Sequence, residues 1–274
     1  MNDAAETAST DELLFAVDEA GIARITLNRP QARNALTFAM YRGLVDLCRR
    51  IEEDRSIKAV IVAGAGDKAF AAGTDIAQFR SFGKPEDALG YERFMDRVLG
   101  SLESLRVPTI AAVAGACTGG GAAIAAACDM RIASRDARFG FPIARTLGNC
   151  LSQNTLRRLA TLIGGPRVKD ILFTARLVGA DEALAIGLVN EVAEDAAAVA
   201  ARATALATLL AGHAPLTLRA TKEGLRRIAE EGAAAASEGE RPGDDLILMT
   251  YMSEDFREGM EAFLGKRAPN FKGR

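Results

Sequence analysis

The chain has 274 residues, 49% hydrophobic and 26% charged, with 34 Lys+Arg against 36 Asp+Glu for a formal net charge of −2. So long and apolar a chain builds a folded core, and so even a balance leaves no cationic excess for a phosphate backbone, which excludes general nucleic-acid binding. Four scattered cysteines (Cys48, Cys117, Cys128, Cys150) without a CxxC, and a single histidine, His213, exclude a Cys/His zinc site and argue against a disulfide scaffold.

Residues 1–11 carry three acids and no basic stretch, so they do not read as a secretory signal and the expected compartment is the cytoplasm. Leu13–Val17 and Ile22–Leu27, apolar stretches around the turn-rich Asp18–Gly21, predict a hairpin that Asn28-Arg29-Pro30 closes. Tyr41, Leu44, Val45, Cys48 and Ile51 fall at i, i+3, i+4, i+7 and i+10, one face of a helix. Strands follow at Ala59–Ala63, closed by Gly64-Ala65-Gly66, and at Thr109–Ala114; then come a small-residue helix over Gly120–Cys128 and a strand over Met130–Ala133. The uncharged run Val107–Cys128 has the length of a membrane span, but Pro108, Gly115 and Gly119-Gly120-Gly121 would weaken a helix there. It reads instead as strand, turn and helix start, with no membrane partner. Beyond Glu194 come alanine-rich helices, Asp195–Ala211 and Leu216–Ala236, a polar break over Ser237–Asp245 and a last helix to Leu264. Alternating strands and helices predict an α/β fold around a largely parallel, covered sheet. The expected division is a core over 1–194 and a helical region over 195–274, whose helices bury little alone and need a surface to pack on.

Two loops carry chemistry. Ala71-Ala72-Gly73-Thr74-Asp75-Ile76 follows the Ala59–Ala63 strand, and its small residues let a ligand approach the backbone with the Thr74 N–H free to donate. A tight turn into a helix capped by Asp75 reads the same residues without a ligand. Cys117-Thr118-Gly119-Gly120-Gly121-Ala122 follows the next strand and opens a helix, exposing N–H groups at its positive end; close helix–strand packing is the structural alternative. Neither GxGxxG nor GxxxxGK[ST] spacing is present there. Taken together, two backbone donors placed after successive strands make an oxyanion hole for a carbonyl gaining negative charge.

These loops resemble those of the enoyl-CoA hydratase/isomerase family, the crotonases. So do Ile25-Thr26-Leu27-Asn28-Arg29-Pro30 with Asn34-Ala35-Leu36, Cys128-Asp129-Met130-Arg131-Ile132-Ala133, Phe139-Gly140-Phe141-Pro142, the stretch Ala180–Val192 and the tail from Arg257 to Phe263. The resemblance implies a spiral of ββα turns with a helical C-terminal oligomerisation region, assembled as a homotrimer or a dimer of trimers. It implies an acyl-CoA thioester as partner, coenzyme A being part of the substrate, with no separate cofactor and no metal. The family's two carbonyl-polarising N–H groups match Thr74 and Gly120. Candidate substrate-binding positions are Arg33, Ala72, Asp75, Ile76, Ala123, Ile143, Arg145 and Asn149, and Arg29, Lys266 and Lys272 are further candidates for the coenzyme phosphates.

The resemblance breaks at the acid/base groups. The family's two catalytic glutamates fall at Ala123 and Ile143, and neither side chain moves a proton. Related dehalogenases place a histidine twelve residues before the proline that precedes the glycine-rich strand, and Asp96 stands there, with Glu92 one turn earlier on the same helical face. Their nucleophilic carboxylate falls near Cys150, inside the polar segment Arg145 to Asn154 that replaces the family's usual loop. Asp96 and Cys150 are therefore catalytic candidates, read against a solvated helix charge and a small side chain at a helix start. Three functions follow: an enolate-forming acyl-CoA enzyme with non-standard acid/base residues, a weak residual enoyl-CoA hydratase, or a non-catalytic binder of CoA thioesters. His213, in the linker Gly212–Pro215, is expected at the surface. Arg226-Arg227 is followed at once by Glu230-Glu231, which leaves no basic stripe for RNA.

Overall fold

The computed structural model describes residues 11–80, 82–231 and 244–274. Among the described residues ten strands form two sheets: β1 (Leu13–Val17), β2 (Ile22–Leu27), β3 (Ala59–Gly64), β4 (Ala69–Ala71), β5 (Thr109–Val113), β6 (Ala116–Thr118), β7 (Met130–Ser134), β8 (Arg138–Gly140), β9 (Val178–Gly179) and β10 (Glu191–Ala193). The larger sheet runs β1-β2-β3-β5-β7-β10, antiparallel only at the β1–β2 hairpin, and the smaller runs β4-β6-β8-β9. The chain climbs from one sheet to the other and returns through a helix: β3, β4 and α2 (Pro85–Glu103), then β5, β6 and α3 (Gly120–Ala127), with α1 (Phe38–Glu53) before them. This is the expected ββα spiral. After β7 and β8 come α4 (Ile143–Thr146), α5 (Gln153–Ile163), α6 (Gly165–Thr174) and α7 (Ala180–Ala185).

The larger sheet is covered on both faces, which explains its uninterrupted apolar strands. Val60 and Val62 of β3, with Ala111 and Val113 of β5, face a core shared with α1, α2 and α3. The alternate residues Ala59, Ile61, Ile110 and Ala112 face Val199, Ala203 and Leu206 of α8 (Ala196–Ala211). The helix just past residue 194 thus covers the outer face of the sheet. Beyond it lie α9 (Pro215–Glu231), α10 (Asp244–Tyr251) and α11 (Glu254–Leu264). The expected helix over Leu216–Ala236 is α9 as far as Glu231; its last residues, and the polar break up to residue 243, lie outside the described residues, as do residues 1–10. Among the described residues no single helix is long and apolar enough to cross a membrane.

Charged side chains close helix ends that the core would otherwise leave with unpaired carbonyls. Arg131, 3% exposed, donates to the carbonyls of Ala125 (3.2 Å) and Cys128 (2.6 Å) at the end of α3 and to that of Leu188 (2.7 Å). Arg106 likewise donates to Ile51, Asp54 and Ile57 at the end of α1. Asp129 accepts from the Thr109 N–H (2.7 Å) and pairs with Lys222 (2.7 Å), tying α9 to the start of β5.

Candidate active site: two backbone donors facing a side-chain wall

The first loop is aimed by its neighbour in chain. Asn34, fully buried and at φ 55°, accepts from the Arg29 N–H (2.9 Å) and donates to the carbonyls of Ala65 (3.0 Å) and Ala69 (2.7 Å). Its short side chain tolerates this left-handed backbone while bracing the segment against β4. Leu36 then pairs with the loop, donating to the Gly73 carbonyl (2.8 Å) and accepting from the Asp75 N–H (2.9 Å). Extended backbone alternates its polar groups, so the Thr74 N–H points the other way. Gly73, at φ 109°, makes the turn that allows this.

The second loop approaches from β6. Gly119 (φ 52°) caps α3, and its own N–H is taken by the Gly140 carbonyl (2.9 Å). Gly120 is the first residue of α3, where an N–H has no partner within the helix. Among the described hydrogen bonds neither the Thr74 nor the Gly120 N–H meets an acceptor. The loops nearly touch: a Cβ on Gly73 would stand 4.0 Å from the Gly120 nitrogen, and one on Gly119 would stand 3.4 Å from the Gly73 Cα.

Both loops open on a cleft of about 940 Å³, continuous with solvent, that is bounded across from them by α2, α4 and the start of α5. Thr74, Gly120, Ala72, Ile76, Ala123 and Ile143 line it, and Asn149 and Cys150 line its far side. The remaining candidates stand elsewhere. Asp75 caps the short 3₁₀ turn Ile76–Phe79 and pairs with Arg29 (3.1 Å). Arg33 gives its carbonyl to the Ala72 N–H (3.0 Å), so its contribution to the loop is through backbone. Arg145 projects from α4 outside the lining. Asp96 lies behind the lining, accepting from the Ser152 hydroxyl (2.6 Å) and the Asn154 amide (2.8 Å), and thereby holds the 149–154 segment on α2. His213 is exposed in the turn between α8 and α9.

Cys150 is the exposed member of four free thiols. The other three are buried, and burial pushes Cys48 and Cys128 up to about 12 and raises Cys117 as well, so all three stay protonated. Among the described residues no three His, Cys, Asp or Glu side chains are grouped to hold a metal ion.

Three site residues escaped the sequence reading. The Thr74 hydroxyl lies between two tyrosines, 2.8 Å from the Tyr41 hydroxyl and 3.2 Å from that of Tyr91. Burial raises the pKa of both tyrosines, strongly for Tyr41, so they face the loop as neutral hydroxyls. Tyr41 read only as one residue of an apolar helix face, and nothing local marks Tyr91. Glu92, noted only as a neighbour of Asp96, lines the cleft, where burial and the Asp96 carboxylate raise its pKa against a Ser152 backbone hydrogen bond that lowers it.

A cleft flanked by two adjoining glycine-bearing loops, each with an unengaged backbone N–H, can be compared with known proteins. A sequence model of the enoyl-CoA hydratase/isomerase family matches residues 18–274. The chain is 37% identical over 263 residues to the short-chain-enoyl-CoA hydratase of Clostridium acetobutylicum, covering 93% of this chain and 96% of that one. It is 33% identical over 261 residues to the crotonyl-CoA hydratase of Syntrophomonas wolfei, covering 92% and 95%. A solved enoyl-CoA hydratase/carnithine racemase from Magnetospirillum magneticum superposes with a TM-score of 0.88 at 36% identity, covering 97% of each chain. With agreement of sequence and fold along nearly its whole length, the chain belongs to the enoyl-CoA hydratase/isomerase family and is an enzyme of that family.

Proposed function

We propose that the cleft binds an acyl-CoA thioester whose carbonyl oxygen accepts from the Thr74 and Gly120 N–H groups, so that removal of an α-proton gives a stabilised enolate. The observation that carries this reading is the pair of unengaged backbone N–H groups on two loops that adjoin at Gly73 and Gly119. Such donors act when charge develops on the oxygen, and the positive end of α3 adds to them. Ala123 and Ile143, which match the family's glutamate positions, both line the cleft, so its usual acid/base pair has no counterpart there. The reaction therefore runs through other proton carriers. A second reading, residual hydration of an enoyl thioester, is supported by the names of the relatives; polar groups at Ser152 and Thr155 line the cleft and are able to hold a water.

Coenzyme A enters as part of the substrate, with no further cofactor. Assembly as a homotrimer or dimer of trimers is supported by apolar side chains left exposed on α9 to α11, among them Ile228, Met252, Phe263 and Leu264. The cytoplasm is the proposed compartment.

The test is a panel of acyl-CoA thioesters and free coenzyme A, followed by calorimetry and by mass spectrometry of the products. The reading expects thioesters to bind more tightly than free coenzyme A and at least one to turn over. Crotonyl-CoA hydration at a rate of roughly 10 per second would favour the second reading. Equal affinity for free coenzyme A with no product would leave a binder without a reaction and contradict both.

A further inference from the structure

Tyr91 and Glu92 are consecutive on α2, and the Tyr91 hydroxyl, 3.2 Å from the Thr74 hydroxyl, fixes the register of this helix against the carbonyl-facing loop. Met95 and Leu99 continue the same face along the cleft. Among the described residues Glu92 is thereby the carboxylate of the same lining to which Ala123 and Ile143 contribute none. Among the described residues neither Glu92 nor Asp96 forms an ion pair. They lie one helical turn apart, so their charges oppose each other. Asp96 accepts from the Ser152 and Asn154 side chains behind the lining, whereas Glu92, with a Ser152 backbone hydrogen bond, lines the cleft.

Resting on the enolate reading above, we infer that Glu92 carries protons between solvent and the acyl chain, and that Asp96, held by Ser152 and Asn154, is its positioning residue. In the forward step the Glu92 carboxylate takes the α-proton. The α C–H bond breaks, an O–H bond forms on Glu92, and the electron pair moves onto the thioester oxygen held by Thr74 and Gly120. Return of a proton from Glu92 to the carbon closes the step, and exchange of that proton with water needs no other reactant. Burial and the Asp96 charge favour the protonated form of Glu92 and so bring its titration closer to neutral pH, where a proton carrier works best. Among the described residues the other titratable groups lining the cleft are Tyr91 and Cys150, and no cation lines it; Arg145 of α4 is not part of the lining.

The test is deuterium incorporation at the α-carbon of acetyl-CoA, butyryl-CoA and 3-hydroxybutyryl-CoA in heavy water, read by mass spectrometry. Wild-type protein incorporates deuterium into at least one of them. Glu92→Gln, nearly isosteric, loses about 100-fold or more of that rate while binding the same thioester by calorimetry. Asp96→Asn keeps exchange but moves its rise with pH to lower values, because removing the neighbouring charge lowers the Glu92 titration. An undiminished rate in Glu92→Gln overturns the inference and leaves the enolate reading standing. Failure of the wild type to exchange any of the three overturns both. An unshifted profile in Asp96→Asn removes the positioning role.

Discussion

The two walls of the cleft are made of different material. One wall is backbone: Thr74 and Gly120 carry N–H groups that meet no acceptor among the described hydrogen bonds, on loops shaped by Leu36, Gly73 and Gly119. The rest of the lining is largely side chains, from Glu92 on α2 to Cys150 and Ser152 before α5. A backbone donor depends on shape, so substitutions across the cleft leave it intact, whereas a proton carrier is one side chain and changes with one substitution.

The backbone wall breaks most severely where a side chain would intrude. A Cβ on Gly120 would overlap the Tyr41 hydroxyl and stand 3.0 Å from the Thr74 hydroxyl oxygen. Gly120→Ala is expected to cost about 100-fold to 1000-fold in α-proton exchange with the fold retained by circular dichroism. Adding Tyr41→Phe, which removes the overlapped oxygen, restores part of the loss. A full rate in the single variant would show that the Gly120 donor is dispensable.

Next comes the brace beneath that wall. Asn34→Ala removes three hydrogen bonds at a fully buried position with φ 55°, and a loss of about 2–3 kcal/mol in denaturant unfolding is expected. Asn154→Ala, on the exposed opposite wall, is the control and is expected to stay within about 0.5 kcal/mol. Equal effects would erase the distinction between the walls.

Much of this architecture was legible. β3, β5 and β7 announce themselves as apolar runs because the middle of the larger sheet is buried on both faces, the β1–β2 hairpin by the turn-rich patch between its apolar stretches, α1 by its apolar face and α8 by its alanine-rich composition. The smaller sheet was not, because β4, β6, β8 and β9 have two or three residues each, too few for an alternation to register. At the site, the two loops stood out by their small residues and glycines, and the family resemblance singled out Thr74 and Gly120 within them. Tyr41 and Tyr91 did not, since their partner Thr74 lies 33 and 17 residues away and only the tertiary fold joins them. Asp96 and Glu92 differ by one helical turn, and which of the two faces the cleft is settled by how α2 packs, not by its composition.

Smaller effects separate side chain from backbone within one residue. Thr74→Val keeps the N–H but ends the hydroxyl chain from Tyr41 to Tyr91, and a loss of about 1 kcal/mol in stability with less than about 10-fold in exchange rate is expected. A loss comparable to that of Gly120→Ala would assign the hydroxyl a direct part in the reaction.

The smallest effect lies outside both walls, on α9. Hydrogen bonds from Arg226 and Arg227 hold Glu223 at about 2, below the ordinary carboxylate value of 4.5. With the folded value depressed, the pairing contributes fully above about pH 4.5 and is lost as pH falls through about 2. Glu223→Gln is expected to flatten that acid limb of the melting temperature by the equivalent of about 0.2–1 kcal/mol, with exchange in the cleft unaffected.

The central claim is that two main-chain N–H groups polarise one acyl oxygen. Isotope-edited infrared difference spectroscopy of a thioester labelled with carbon-13 at its carbonyl reads that oxygen directly. The account predicts a carbonyl stretch lowered on binding to the wild-type protein and returned toward its solution frequency in Gly120→Ala. A bound thioester with the same frequency as in water would contradict it.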